Sequence, residues 1–213
     1  MDQASEDKAE LSRKTRQLRR LEVLMDVVFG LIILRIFALL PRPANEEDWG
    51  SLISFLVANF EPFIVAGLGI VIIIVYWLQN NTLFGHLERT DTSHTAITIV
   101  QIFFLLLFMY AIRIGLDFPG QIGARALESV TAALVGIASI VGWRYAMKNR
   151  RLLSPDVSNQ KAGQILDQIL AEPIAAGITL PCAFVGPIVW EIAWFSYLPI
   201  SYWLRRRRQA RKS

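Results

Sequence analysis

The chain has 213 residues, 54% of them hydrophobic and only 19% charged, with a mean hydropathy of +0.41. Soluble domains carry about a quarter charged residues, so this balance points to the membrane. The apolar residues form long blocks between short charged stretches, which leaves no room for a separate soluble domain.

The first 22 residues are charged and basic and lack the apolar core of a cleavable signal peptide, so the first membrane helix is expected to be retained. Six apolar stretches follow, at about Val23–Leu40, Leu52–Gln79, Thr95–Leu116, Ala126–Met147, Ile165–Leu180 and Ala183–Leu204. Most reach the roughly 20 residues that cross a bilayer core. The fifth carries Asp167 and Glu172 and reads as an amphipathic helix inside a bundle, so five spans is the rival count. Basic residues cluster before the first span, around the link between the fourth and fifth, and after the last. The alternate links are poor in lysine and arginine. The positive-inside rule then places both termini in the cytoplasm, an arrangement that five spans would break.

The expected organisation is a basic N-terminal segment (residues 1–22), an all-α transmembrane domain (23–204) and a basic tail (205–213). The basic runs read as topology anchors that also suit anionic lipid headgroups. Nucleic acid is not an expected partner, because no folded reader accompanies the charge. Trp49, Trp77, Trp143, Tyr202 and Trp203 lie near span ends, where aromatic belts form.

Cys182 is the only cysteine, which rules out an intrachain disulfide and reads as an apolar filler. His86 and His94 fall in the link after the second span, without carboxylates or cysteines at ligand spacing, and read as solvated loop residues. No phosphate loop, nucleophile elbow, zinc signature or dinucleotide fingerprint is present. Neither an enzyme nor a cofactor or metal site is expected.

The first span is the most informative. Helical spacing puts Leu31, Leu34, Arg35 and Ala38 on one face, with Val27 one turn inward. Repeated around a symmetry axis, Leu31 would form a narrow dry ring; alternatively the face packs against other helices. Arg35 lies five residues from the outer end. It can snorkel, face a lumen, or pair with Glu46, Glu47, Asp48, Asp117 or Glu128, and pairing is the preferred expectation because an intramembrane charge needs a partner. Glu191 in the last span must find one too or stay protonated, with Arg113 and Trp194 as candidates.

Arg20-Leu-Glu-Val-Leu-Met-Asp26, followed by Val28-Phe29-Gly30-Leu31, resembles the opening of the transmembrane protein 175 family of endosomal and lysosomal potassium channels and their prokaryotic relatives. The family pattern is an arginine, three residues, Phe-Ser-Asp, a small residue and an apolar helix. Arg20 and Asp26 match, while Leu24 and Met25 stand where Phe and Ser are expected. Trp77-Leu-Gln-Asn80-Asn81-Thr-Leu-Phe84 is similar to the family's Trp, two residues, His-His, two residues, Phe, with asparagines replacing the histidines.

The resemblance implies a homotetramer of six-helix subunits that conducts potassium through a central pore lined by helix 1. Leu31 takes the constriction position. Leu34 takes the position of a hydroxyl residue, which is a departure. Arg20 and Asp26 are implied to join a hydrogen-bonded network at the inner end of helix 1; from the residues alone, a salt bridge or capping contact serves equally. Animal relatives carry two copies of the six-helix unit, so a single copy suggests a prokaryotic plasma membrane. Two other functions stay open: an anion-permeable or weakly selective channel set by Arg35, and a proton-coupled transporter using Asp26 or Glu191.

Overall fold

A computed structural model describes residues 3–43, 51–118 and 120–210. Its regular elements are α1 (Gln3–Ala38), α2 (Leu52–Ala58), α3 (Phe60–Phe84), α4 (Thr92–Asp117), α5 (Ile122–Met147), α6 (Asn159–Ile169), α7 (Ala171–Cys182), α8 (Pro187–Trp194) and α9 (Tyr197–Ala210), with a 3-10 turn at Lys148–Arg150. No β-strand occurs among the described residues. Four helices are long and apolar enough to cross a membrane: 60–84, 92–117, 122–150 and the α6–α7 pair.

The remaining two expected spans explain themselves. Helix α1 is long, but Glu22, Asp26 and Arg35 interrupt its apolar run. The last span is broken into α8 and α9 around Phe195 and Ser196, shortly before Pro199, whose missing N–H and ring disfavour a continuous helix. The second span is broken as well. Ser51 starts α2 with a capping box, its Oγ accepting from the Ser54 N–H at 3.1 Å. Asn59 ends α2 by donating its Nδ2 to the Phe55 carbonyl at 2.9 Å, and α3 begins afresh with Pro62 in its first turn, where proline is tolerated. The link before the last span lies at 183–186, after Pro181 rather than around it, because Pro181 sits inside α7.

Helix α5 forms the centre of the bundle, packing along α4 and α7. Small residues permit the approach. A Cβ on Gly136 would stand 2.8 Å from the Pro173 ring of α7, and one on Gly69 of α3 would stand 2.8 Å from Ile112 of α4. Polar groups tie the same contacts. Ser129 Oγ of α5 accepts from Thr179 Oγ1 at 2.8 Å and from Trp190 Nε1 at 3.0 Å, joining α5, α7 and α8. Tyr76 donates its hydroxyl to the Ala132 carbonyl at 2.6 Å, and Gln101 Nε2 donates to Ser139 Oγ at 2.9 Å. Buried polar groups need such partners, and in hydrocarbon no water replaces them.

The loops at the other ends of α3 and α5 are clamped together. The Glu88 N–H donates to the Leu152 carbonyl at 3.0 Å, and the Ser154 N–H donates to the His86 carbonyl at 3.0 Å. Asp91 caps α4 by accepting from the His94 N–H at 2.8 Å, while its second oxygen accepts from the Tyr145 hydroxyl at 2.8 Å. Partial burial pushes the Asp91 carboxyl up, but these hydrogen bonds outweigh it and hold the group below its ordinary value. Trp143, expected at an interfacial belt, is instead buried and donates to the Ala162 carbonyl at 2.9 Å. Its place is in the core because α6 folds back over the end of α5. Tyr202 and Trp203 are exposed, with the Arg206 and Arg207 guanidinium groups about 4.9 Å and 5.0 Å from their ring centres.

Candidate functional site

Helix α1 divides into two arcs. Leu18, Leu21, Met25, Phe29, Ile32 and Ile36 recur at three- and four-residue intervals and are buried, the last four at 2% exposure or less. They lay α1 against α3 and α4. The residues proposed from sequence fall elsewhere. Val27, Leu31 and Leu34 are 51%, 60% and 63% exposed, and Arg35 and Ala38 are exposed as well. At about 100° per residue, the centres of the two arcs lie roughly a third of a turn apart. The helix therefore uses one side to join its own bundle and presents the other, apolar but carrying an arginine, to whatever lies beyond the protomer.

The Arg35 pairing expected from sequence is not found with Asp117 or Glu128. Asp117 instead pairs with Arg113 at 3.4 Å, one turn away on α4, and Glu128 is buried on α5. Glu46, Glu47 and Asp48 lie outside the described residues. The reason is geometric: Arg35 stands on the exposed arc, facing away from α4 and α5.

Arg20 and Asp26 do not pair with each other. Six residues along a helix separate them by about 9 Å of rise and 120° of rotation, so their side chains diverge. Asp26 instead accepts a 2.9 Å hydrogen bond from Trp77 Nε1 on α3. The two stretches quoted from the sequence thus meet in space. Met25, at the position of the family's serine, is 2% exposed and packs inward, whereas Leu24 is exposed.

Asn80 is buried, and both polar atoms of its amide lack a partner within the described residues. It borders a small void of about 20 Å³ with His94, Gln101, Ser139 and Trp143. That volume holds about one water. His94 is no loop histidine: it is 5% exposed inside the first turn of α4, with its Nδ1 3.0 Å from Thr90 Oγ1. His86 sits at the turn after α3, its Nδ1 2.5 Å from the Thr82 carbonyl.

Sequence reasoning singled out Glu128 and Glu191 but missed Arg125 and Glu61, which meet them at one end of the bundle. Arg125, buried at the start of α5, donates from Nη2 to the Ala183 carbonyl at 3.2 Å. Glu61, Glu128 and Glu191 gather with it around a second void of about 20 Å³. Arg125, not the expected Arg113 or Trp194, is the cation acting on Glu191. Arginine and glutamate one turn apart on a helix, as in Arg125 and Glu128, were the available signal. No cluster of metal-ligating side chains occurs among the described residues.

A bundle of apolar helices, bonded internally through buried polar groups and carrying one long helix that is only half covered, defines a multi-pass membrane protein. Residues 20–108 match the family model described as "Endosomal/lysosomal potassium channel TMEM175". That match takes in 89 of the 213 residues, from within α1 into α4. A solved lysosomal potassium-selective channel TMEM175 homolog from Chamaesiphon minutus is similar at 15% identity, with a TM-score of 0.71, over 91% of this chain and 98% of that one. A variant of the potassium channel MtTMEM175, solved in complex with a nanobody–MBP fusion, is similar at 18% identity with a TM-score of 0.61, over 90% of this chain and 93% of that one. At these identities the likeness is one of fold. No curated protein matches.

Proposed function

We propose that the protein is a potassium-preferring cation channel, assembled as a homotetramer whose central pore is lined by α1. The carrying observation is the exposed arc of Val27, Leu31, Leu34, Arg35 and Ala38 on a helix that packs into its bundle by another side. Exposed apolar residues alone suit lipid as well as a pore. Arg35 weighs toward the pore, since an arginine held against hydrocarbon is costly, although less so near a helix end where the side chain can snorkel. An aqueous pore mouth removes that cost.

In this reading Leu31 forms the narrow ring, and selection arises from pore width and dehydration. The six spans comprise α1, α2–α3, α4, α5, α6–α7 and α8–α9, between residues 23 and 204, with both termini cytoplasmic in a prokaryotic cell membrane. The basic stretches 1–22 and 205–213 face anionic lipid headgroups. The Asp26–Trp77 bond fixes how α1 leans on α3.

The test is ion flux from purified protein in liposomes, with reversal potentials under potassium/sodium and potassium/chloride gradients. A potential near the potassium equilibrium value is expected, and Leu31→Ala should raise conductance several-fold by widening the ring. Unchanged conductance in that variant would remove Leu31 from the constriction. The second reading, an anion-permeable channel, draws on the lack of an Arg35 partner among the described carboxylates. It predicts a potential near the chloride value that moves toward potassium in Arg35→Glu.

A further inference from the structure

We propose that the cleft between α3, α7 and the α8–α9 break binds a lipophilic amine drawn from the bilayer, with its nitrogen held by Glu172. This does not depend on the channel reading. The cleft encloses about 250 Å³ and is walled by apolar surface from Val71, Tyr76, Ala175, Trp194, Phe195 and Leu198. Val71, Phe195 and Leu198 are exposed at 57%, 59% and 62%, so the mouth opens on the outer surface of the bundle rather than into its core. The interruption between α8 and α9 shapes this opening.

Glu172 lies in the wall at 6% exposure, and the Gln79 amide is the one polar group beside it that acts as a hydrogen-bond donor, at a separation too loose for a well-formed bond. Trp194, 9% exposed, has no partner for its indole N–H among the described residues. The Tyr76 hydroxyl is already committed to the Ala132 carbonyl at 2.6 Å. Among the described residues no lysine, arginine or histidine borders the cleft. A buried carboxyl is costly, and no described residue supplies a cation to meet it.

The chemistry selects the occupant. A fatty acid or a phosphate headgroup would bring a second acidic group against the Glu172 carboxylic acid and could take no proton from it. A neutral alcohol would hydrogen-bond the acid without forming an ion pair. A primary amine on an apolar body fills the cleft and, after taking one proton from the carboxylic acid, gives an ammonium–carboxylate pair with N–H donors for both oxygens. Charge-assisted hydrogen bonds in a dry site are the strong ones.

Binding of radiolabelled decylamine to the full-length protein in lipid nanodiscs, with empty nanodiscs subtracted, tests the assignment. Saturable binding is expected, weakened at least about tenfold in Glu172→Gln, which keeps the side-chain shape. Decanol should compete at least about tenfold more weakly than unlabelled decylamine. Val71→Trp, placed at the exposed mouth, should also weaken binding without disturbing the core, whereas Glu191→Gln should leave it unchanged. The proposal is overturned if wild-type binding does not saturate, if decanol competes equally, or if Glu172→Gln and Val71→Trp bind as wild type does.

Discussion

Helices α1 and α5 are both long, and both carry charge within an apolar run, but they spend their surfaces differently. Helix α5 is largely enclosed, and its charged Arg125 and Glu128 lie inside the bundle. Helix α1 commits a single arc, from Leu18 to Ile36, and leaves Arg35 with Leu31, Leu34 and Ala38 outside. The difference separates two kinds of information in one sequence. Residues on α5 specify the fold, and residues on the outer arc of α1 are free of that duty. What they do must be sought beyond the protomer.

Adding the same side chain to each helix should break or uphold this contrast most sharply. Gly136→Leu drives a branched side chain into Pro173, already 2.8 Å from a Cβ at that position, and overpacking of this kind costs about 1–3 kcal/mol or more. Gly30→Leu meets nothing within 4 Å and replaces the residue worst suited to a helix interior after proline. Thermal unfolding in detergent should show a large loss for the first and none for the second. Equal losses would mean that the exposed arc of α1 is part of the protomer's own core. A smaller effect sharpens the seam between α1 and the bundle. Asp26→Ala, at an exposed position, removes the acceptor of the Trp77 indole N–H and should cost about 1 kcal/mol in denaturant unfolding. A variant as stable as wild type would show that packing alone seats α1.

The smallest effect is expected at the loops. Asp91 is held below its ordinary value of 3.8 by its hydrogen bonds, so its stabilisation is full above that pH and is lost as pH falls through the lowered value. Tyr145→Phe removes one of those bonds and should lower stability near neutrality, a loss that fades as pH falls through the lowered value, so the acid end of the profile flattens. A change at pH 7 of the same size as that at pH 3 would show that the hydroxyl acts by packing instead.

The contrast also marks how far the sequence could be read. The outer arc of α1 was legible because a three- and four-residue spacing needs only a helix. The meeting of Asp26 with Trp77 was not, although both belong to quoted motifs, because 51 residues separate them and only the packing of α1 on α3 brings them together. The amphipathic character of the fifth span was visible, and Glu172 does lie inside, but the cleft beside it depends on the break between α8 and α9. His94 was misplaced because the start of α4 was set three residues too late. Asp91, a strong N-cap residue, was the signal that would have corrected it.

The central claim is that the outer arc of α1 faces a water-filled pore. Its most direct test is a cysteine scan of α1 in a Cys182→Ser background, with currents recorded during exposure to a membrane-impermeant thiol reagent. Block at positions 27, 31, 34 and 38, and none at 25, 29, 32 and 36, is the predicted result. Block on the buried arc, or no block anywhere along α1 in a conducting protein, would contradict it.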